Sequence, residues 1–486
     1  MFSLLAFKIQ HKEKILYDCR FTSDSLGKRD QLLSTLIIGE NGTGKSHLLS
    51  LVADFFRLLV DSAVGKRTSY PVARYENITM EYMVDGQLCQ VERNKRVLIA
   101  KLDGTELPVA DLPKPKKVIA VSYMLNDKFS FSNDHGELYE YCGIRAASNA
   151  SYTGSIRRQI FSSILAGMVR YNELGRLKRV LDFLKLQHRI TFNIPLNRKT
   201  LFSRGLSVSA FNDKLKALER SRSGIARLPT DAKVSYEQLT GALERLKSSV
   251  AVANDNIIFD LNFENVATTA LAQTISDLSV LSLLELTAPP ELSFHGADAF
   301  GFDNSSSGEK HILHTMINLG ACVDQDSLIL IDEPELSLHP RWQMQYVDLL
   351  KNILSGFQSS HAILASHSHF MVSDLRPENS SLVTMANDGS NGGRVCRLVD
   401  YDTYAWSAEN ILYEVFGLRT TRNYYFERDL RELLSLISRN RDRENVQLAK
   451  GLFEKIKRYN FKEGDPLIEI LAQAESFISK SDDQEN

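Results

Sequence analysis

The spacing of apolar positions changes period along the chain, and the changes divide it. Near the start, Leu5, Phe7 and Ile9 alternate with Leu4, Ala6 and Lys8, the two-residue period of a β-strand. Residues 36–38 form a short apolar run entering a glycine-rich loop. From residue 46 to 59 the period turns helical, with Leu48, Leu49, Val52, Phe55, Phe56 and Leu59 recurring on one stripe. Strand-like stretches at 78–84 and 87–92 flank Asp85-Gly86, a favoured hairpin turn pair. A turn rich in proline and lysine at 108–117 feeds a further strand at 117–123.

The middle, 155–286, reads as helical. Ile156, Ile160, Ile164 and Met168 share one face, with Arg157, Arg158 and Arg170 elsewhere around the helix. Phe211, Leu215 and Leu218 repeat the pattern, as do Leu239, Leu243 and Leu246; residues 257–263 are the strand-like exception. No heptad lasts long enough for a coiled-coil arm. The third part returns to α/β: a helix after Ser307-Gly308, a buried strand at 327–331, a helix at 342–354 and a strand at 361–365. Beyond Asp402 the chain reads as helical, with Ser407 as an N-cap. The expected divisions are 1–150, a basic helical insertion at 151–290, 291–400, and a helical region at 401–486.

Composition changes this picture little. Of the 486 residues, 43% are apolar and 24% charged, a globular balance. No apolar stretch is long enough to predict a membrane-spanning helix, and no basic segment precedes the first apolar run as in a signal peptide. Cys19, Cys89, Cys142, Cys322 and Cys396 are odd in number and include no CxxC pair. That spacing argues against a disulfide framework or zinc site and for a cytoplasmic location with small buried thiols. Charge is more informative. The net is −2, yet residues 150–250 hold 19 Lys and Arg against 7 Asp and Glu. A basic block within an acidic chain suggests an acidic partner such as DNA.

The candidate chemistry lies in four places. Residues 39–46, Gly-Glu-Asn-Gly-Thr-Gly-Lys-Ser, complete a P-loop between an apolar strand and an amphipathic helix. Gly39, Asn41, Gly42, Thr43 and Gly44 let the backbone curl so that its N–H groups face phosphate. Lys45 reaches the terminal phosphates of ATP, and Ser46 offers a hydroxyl to Mg²⁺. The strand at 327–331 runs into Asp332 and Glu333. Asp332 is placed to hold Mg²⁺, and Glu333 to orient and deprotonate the attacking water. Ser305-Ser306-Ser307-Gly308-Glu309-Lys310 opens a helix, so its hydroxyls and N–H groups suit a phosphate, or simply cap the helix. His367 follows the apolar run 363–365, where a histidine can touch the γ-phosphate; His369 lies close behind it.

The order P-loop, SSSGEK, LILIDEPELSLHP, ASHSHF resembles ABC-type ATPases of the RecF, Rad50 and OLD kind, and among them the compact prokaryotic AAA-family ATPases. The resemblance covers residues 1–130 and 295–385. It implies an α/β ABC-type P-loop fold with a mixed sheet. It also implies that Lys45, Ser46, Asp332, Glu333 and His367 act on ATP in cis. Ser306 and Gly308, with Glu309 in the place of the family's glutamine, then act on the ATP of a second copy, so that a homodimer or higher even-numbered oligomer sandwiches the nucleotide. Residues 336–339 take the place of the D-loop, with His339 where transporter types have aspartate. The Q-loop glutamine is left unassigned: the strand at 117–123 should lead to it, and Asn126 and Asp127 stand there. Asp400-Tyr401-Asp402 lacks the preceding glutamate strand of a Toprim nuclease. The resemblance to ATPase subunits of the Septu and PARIS antiphage systems, which partner a separate nuclease, extends to residues 404–412 and 416–418. The alternative it leaves is a RecF-like repair ATPase gripping DNA through Arg157, Arg158, Arg176, Lys178 and Arg179. No membrane partner is expected.

Overall fold

The structure is a computed structural model. It describes residues 1–22, 32–66, 70–130, 138–145, 152–169, 173–198, 201–220, 234–253, 256–264, 268–296, 299–388, 393–418, 420, 422–438, 443–462 and 465–482. Arg170 lies outside these residues, as does the tail beyond residue 482. The chain forms two units, Met1–Trp406 and Ser407–Asn486.

The first unit is built on a seven-stranded sheet. Its order is Arg394–Leu398, Ser380–Asn387, Leu33–Gly39, His361–Ser366, Leu328–Asp332, Val118–Ser122, Tyr139–Tyr141. All neighbours run parallel except the edge strand Arg394–Leu398, so the sheet is mixed. Parallel strands covered on both faces need unbroken apolar runs. Leu36, Ile37 and Ile38, and Leu328 to Ile331, supply them and are buried throughout. Register sets Asp332 beside Ala365 and Ser122, and Ser366 beside Ile38. Gly39, Ser366 and Asp332 thus end their strands along one edge, where ligands of open parallel sheets bind.

The helix Lys45–Ala63 leaves that edge and runs between two sheets. The second sheet is antiparallel and six-stranded, in the order Lys14–Arg20, Phe2–His11, Asn77–Val84, Gln87–Asn94, Val97–Leu102, Thr105–Leu107. One core joins the layers: Phe2, Phe7 and Tyr82 from this sheet, Phe55 and Phe56 from the helix, Leu330 and Ile363 from the parallel sheet. The helix is therefore apolar on more than one face, with Leu51 and Leu58 buried beside the predicted stripe. At the predicted hairpin, Asp85 and Gly86 adopt φ of 50° and 84°. Such a two-residue turn needs both values positive.

Two readings need correction. The middle is not wholly helical. It holds helices Tyr152–Val169, Glu173–Phe183, Val208–Arg220, Tyr236–Ser249 and Thr268–Leu283, but also a five-stranded antiparallel sheet. That sheet runs Ala251–Ala253, Asn256–Asn262, Arg189–Pro195, Glu291–His295, Ala299–Gly301. Ile190, Phe192 and Ile194 alternate inward and pair with Leu261, Phe259 and Ile257. Nor do all the cysteines stand alone. Cys19 and Cys396 form a disulfide across 377 residues of sequence. Sequence spacing could not show it, because the strands that carry them are brought side by side only by the fold.

The second unit is a bundle of helices Tyr424–Ile437, Arg443–Lys457 and Leu467–Asp482, entered through Ser407, whose side chain accepts from the Asn410 N–H. Leu433, Ala449, Phe453, Ile456 and Ala474 form its core.

Candidate functional site

The P-loop begins where its strand runs out of room. A Cβ on Gly39 would stand 2.1 Å from the Met385 carbonyl oxygen. Gly42 and Gly44 take φ of 82° and 91°, the left-handed region that glycine enters at least cost. Thr43 is buried, and its hydroxyl donates to the Glu40 carbonyl at 2.8 Å. Asn41 and Gly42 are exposed on the crest of the loop, and the helix starts at Lys45 with its N-terminal N–H groups toward it. The Lys45 ammonium donates to the Gly39 and Glu40 carbonyls at 2.8 and 3.3 Å. It also meets His367 Nε2 at 2.8 Å. Burial lowers its pKa to about 8, against the pull of Glu333, Glu335 and Asp332.

The acids face this lysine. Asp332 is 1% exposed, and burial raises its pKa to about 7, with Glu333, Asp127 and Glu335 pushing the same way. Glu333 occupies the left-handed region at φ 50°, uncommon for a residue with a side chain, while its N–H still pairs with the Ala365 carbonyl at 2.9 Å. Its carboxylate lies 3.3 Å from His367 Nε2. That contact, with Lys45 behind it, holds the Glu333 pKa below the usual range despite partial burial. His367 therefore touches both the P-loop lysine and the acid that ends the neighbouring strand. His369, by contrast, lies against Phe370, the two rings tilted by 37°.

Mg²⁺ fits this edge. Both Asp332 oxygens are buried without a hydrogen-bond partner. The nearby Ser46 hydroxyl favours the anion, though it makes no hydrogen bond to either oxygen. Leaving a buried carboxylate unpaired is costly, and a hard dication with oxygen ligands would resolve the cost.

Sequence reasoning missed Glu335. One of its oxygens accepts the His367 backbone N–H, while the other is buried without a partner. Its only signal was a second glutamate two places after Glu333. Asp127 stands where a Q-loop glutamine was sought. It is buried, bound by the Tyr141 hydroxyl and the Phe129 N–H, with Arg145 at 3.4 Å.

Ser306, Gly308 and Glu309 form a different cluster. Ser306 caps the helix Ser307–Cys322 by accepting the Glu309 N–H at 3.2 Å, and Glu309 returns the contact to the Ser306 N–H at 2.7 Å. Glu309 is thus engaged in the cap. Gly308 packs so tightly that a Cβ would stand 2.8 Å from the Ser337 carbonyl oxygen. His311, one turn on, meets the Leu336 carbonyl at 2.7 Å and stacks on Tyr123 at 4.2 Å. Among the described contacts, none ties Ser306, Gly308 or Glu309 to the P-loop of the same chain. His339 caps the short helix Pro340–Gln343.

The named basic residues are partly spent within the fold. Arg157 pairs with Asp303 at 3.3 Å, Arg176 donates to the Gly320 carbonyl at 3.0 Å, and Arg179 binds the Asn352 carbonyl and the Ser355 hydroxyl. The order of parallel strands beside the P-loop decides the resemblance: His367 follows the adjoining strand His361–Ser366, and the acids end the next strand, Leu328–Asp332.

This chain resembles the ABC-type ATPases. The AAA_21 family model, described as "AAA domain, putative AbiEii toxin, Type IV TA system", matches residues 202–373. Septu protein PtuA of Bacillus thuringiensis is 32% identical over 159 residues, 30% of this chain and 38% of PtuA. The chain thus spans well under half of that relative's length. "Retron Vc95 probable ATPase" of Vibrio cholerae serotype O1 biovar El Tor is 19% identical over 428 residues, 77% of this chain and 74% of that protein. The Smc head domain of Pyrococcus furiosus, solved with an extended coiled coil and bound to the C-terminal domain of ScpA, aligns over 85% of this chain and all of its own. Its TM-score of 0.34 and 12% identity are too low to bear on the ABC-type assignment. Among the described residues, no helix is long and apolar enough to cross a membrane.

Proposed function

We propose that this chain binds ATP on residues 39–46, hydrolyses it between two copies of itself, and through that cycle controls a separate nuclease in an antiphage system. The observation that carries the reading is the contact of Lys45, His367 and Glu333 beside the orphaned Asp332 carboxylate. The Lys45 ammonium donates to backbone carbonyls and meets His367, partners that a terminal phosphate would replace. The P-loop N–H groups and the helix start then bind the phosphate oxygens. Glu333 is ionised at neutral pH, as a group that orients a water and accepts its proton must be. His367, in contact with both Lys45 and Glu333, would register the γ-phosphate. Mg²⁺, held by Asp332 and Ser46, would neutralise phosphate charge.

The second copy supplies the Ser306–Gly308 end. The Ser306 oxygen accepts from Glu309, which leaves its own hydroxyl hydrogen free to donate to phosphate. Glu309 holds that cap in shape. Hydrolysis then weakens the seam between copies. The likeness to PtuA and to the retron ATPase supports placing this cycle in phage defence, and a separate effector would supply the nuclease chemistry.

A pull-down of the chain at natural expression, with mass spectrometry, tests the partner. A stoichiometric nuclease is expected. A chain that returns alone or with DNA would overturn the effector-controlling role.

A further inference from the structure

Far from the P-loop lysine in sequence, the fold gathers two thiols and a carboxylate. Cys142 follows the sheet's edge strand Tyr139–Tyr141, and Cys322 ends the helix that Ser306 caps. Their sulfurs lie 3.0 Å apart, although 180 residues separate them. The Cys322 thiol also donates to Glu140 Oε1 at 3.0 Å. All three donor atoms lie within 4.8 Å of one another. The other Glu140 oxygen is held by the Lys117 ammonium at 2.9 Å, and that ammonium donates to the Cys322 carbonyl at 2.8 Å.

We propose that Glu140, Cys142 and Cys322 form a zinc-type metal site that ties the end of the Ser307–Cys322 helix to the edge of the parallel sheet. Two soft thiolates with one carboxylate are a donor set for Zn²⁺, whose tetrahedral geometry would hold the sulfurs about 3.8 Å apart. Small rotations about the cysteine side chains supply that difference. Charge balances as well. Two thiolates and a carboxylate exceed the dication by one negative charge, which the Lys117 ammonium offsets. Binding would release one proton from each thiol, and a water would complete the shell.

A disulfide between the same cysteines is the competing chemistry. It would consume the S–H that Glu140 Oε1 accepts, while the Lys117 contact to Oε2 would remain. The metal uses all three groups. The site would also brace, from its far end, the helix whose N-terminus carries Ser306 and Gly308. This inference does not depend on ATP hydrolysis, since none of its residues belongs to the P-loop edge.

Cobalt titration of the reduced, metal-free full chain tests it. One Co²⁺ per chain should bind with thiolate-to-cobalt charge-transfer absorption, and Zn²⁺ should displace it. Cys142→Ser and Cys322→Ser should each abolish the band, while Cys89→Ser and the double variant Cys19→Ser/Cys396→Ser should keep it. Glu140→Gln retains both sulfurs and should weaken Co²⁺ roughly tenfold or more, which keeps the test open if a cysteine variant misfolds. Lys45→Ala should leave the titration unchanged. Absence of the band in folded protein, or its survival in both Cys142 and Cys322 variants, would overturn the site. So would a Cys142–Cys322 disulfide as the sole product of purification under reducing conditions.

Discussion

The Lys45 ammonium lies 2.8 Å from His367 Nε2, and that same imidazole nitrogen lies 3.3 Å from a Glu333 carboxylate oxygen. One histidine thus links the residue expected to grip phosphate to the residue expected to orient water. On the proposed reading, a nucleotide in the P-loop would replace the first contact and leave the second free to respond.

Lys45→Ala should weaken ATP binding by roughly 10- to 100-fold, the worth of a lost charge-assisted contact to phosphate. Titration with a fluorescent ATP analogue measures it. The fold should persist, because Lys45 donates only to loop carbonyls and His367. Burial already lowers the Lys45 pKa to about 8, so ATP affinity should also decline as pH rises through that value.

Glu333→Gln and His367→Ala should separate binding from turnover. Glu333→Gln keeps the size of the side chain but removes the base, so kcat should fall roughly 100-fold or more while ATP still binds. His367→Ala removes the contact that most lowers the Glu333 pKa. Its kcat should fall less, and its pH–rate profile should shift upward on the acid limb as the Glu333 pKa rises. Unchanged profiles would detach His367 from Glu333.

Two buried sets should give the metal-free protein opposing pH slopes. Asp332 has its pKa raised to about 7, so the folded state holds a proton there that the unfolded chain has released. That contribution is full below the unfolded value near 4 and is lost as pH rises toward 7. Asp332→Asn should therefore melt higher than the parent at pH 8 without Mg²⁺ and lose the stabilisation that Mg²⁺ gives the parent. His311 and His314 are fully buried with pKa values lowered to about 4 and 3. Their contribution is full above about 6.5 and is lost as pH falls toward those values. Thermal melts from pH 4 to 8 read both slopes.

His311→Leu should remove the contact to the Leu336 carbonyl and the stack on Tyr123. It should lower melting temperature modestly while nucleotide binding to an isolated chain stays unchanged, because neither contact touches the P-loop. Turnover should fall, since His311 holds the 336–339 segment against the helix that presents Ser306.

What could be read from sequence was what lies close together in it. The P-loop glycines, the acidic strand end and His367 each follow an apolar run, and the parallel sheet gathers those ends by register alone. Glu335 was visible but had no assignable role until its carboxylate was seen beneath the His367 N–H. Of the middle sheet, 257–263 was legible and is the strand Asn256–Asn262, while strands such as Arg189–Pro195 and Glu291–His295 are short and sit between helices of strong period. The Cys19–Cys396 disulfide and the Cys142–Cys322 approach join residues 377 and 180 apart, contacts that no local pattern encodes. Arg157, Arg176 and Arg179 carried charge in the sequence, but their internal partners belong to the fold.

Mixing two inactive variants tests the shared ATP site most directly. Lys45→Ala spoils the P-loop and leaves the Ser306 end intact; Ser306→Arg, on an exposed residue, does the reverse. Each alone should hydrolyse almost no ATP. Mixed in equal amounts, half the dimers are hybrids with one complete site, so turnover should return to roughly a quarter of the parent's by statistical pairing. Full activity of Ser306→Arg alone, or no recovery on mixing although hybrids form, would contradict a site built by two copies.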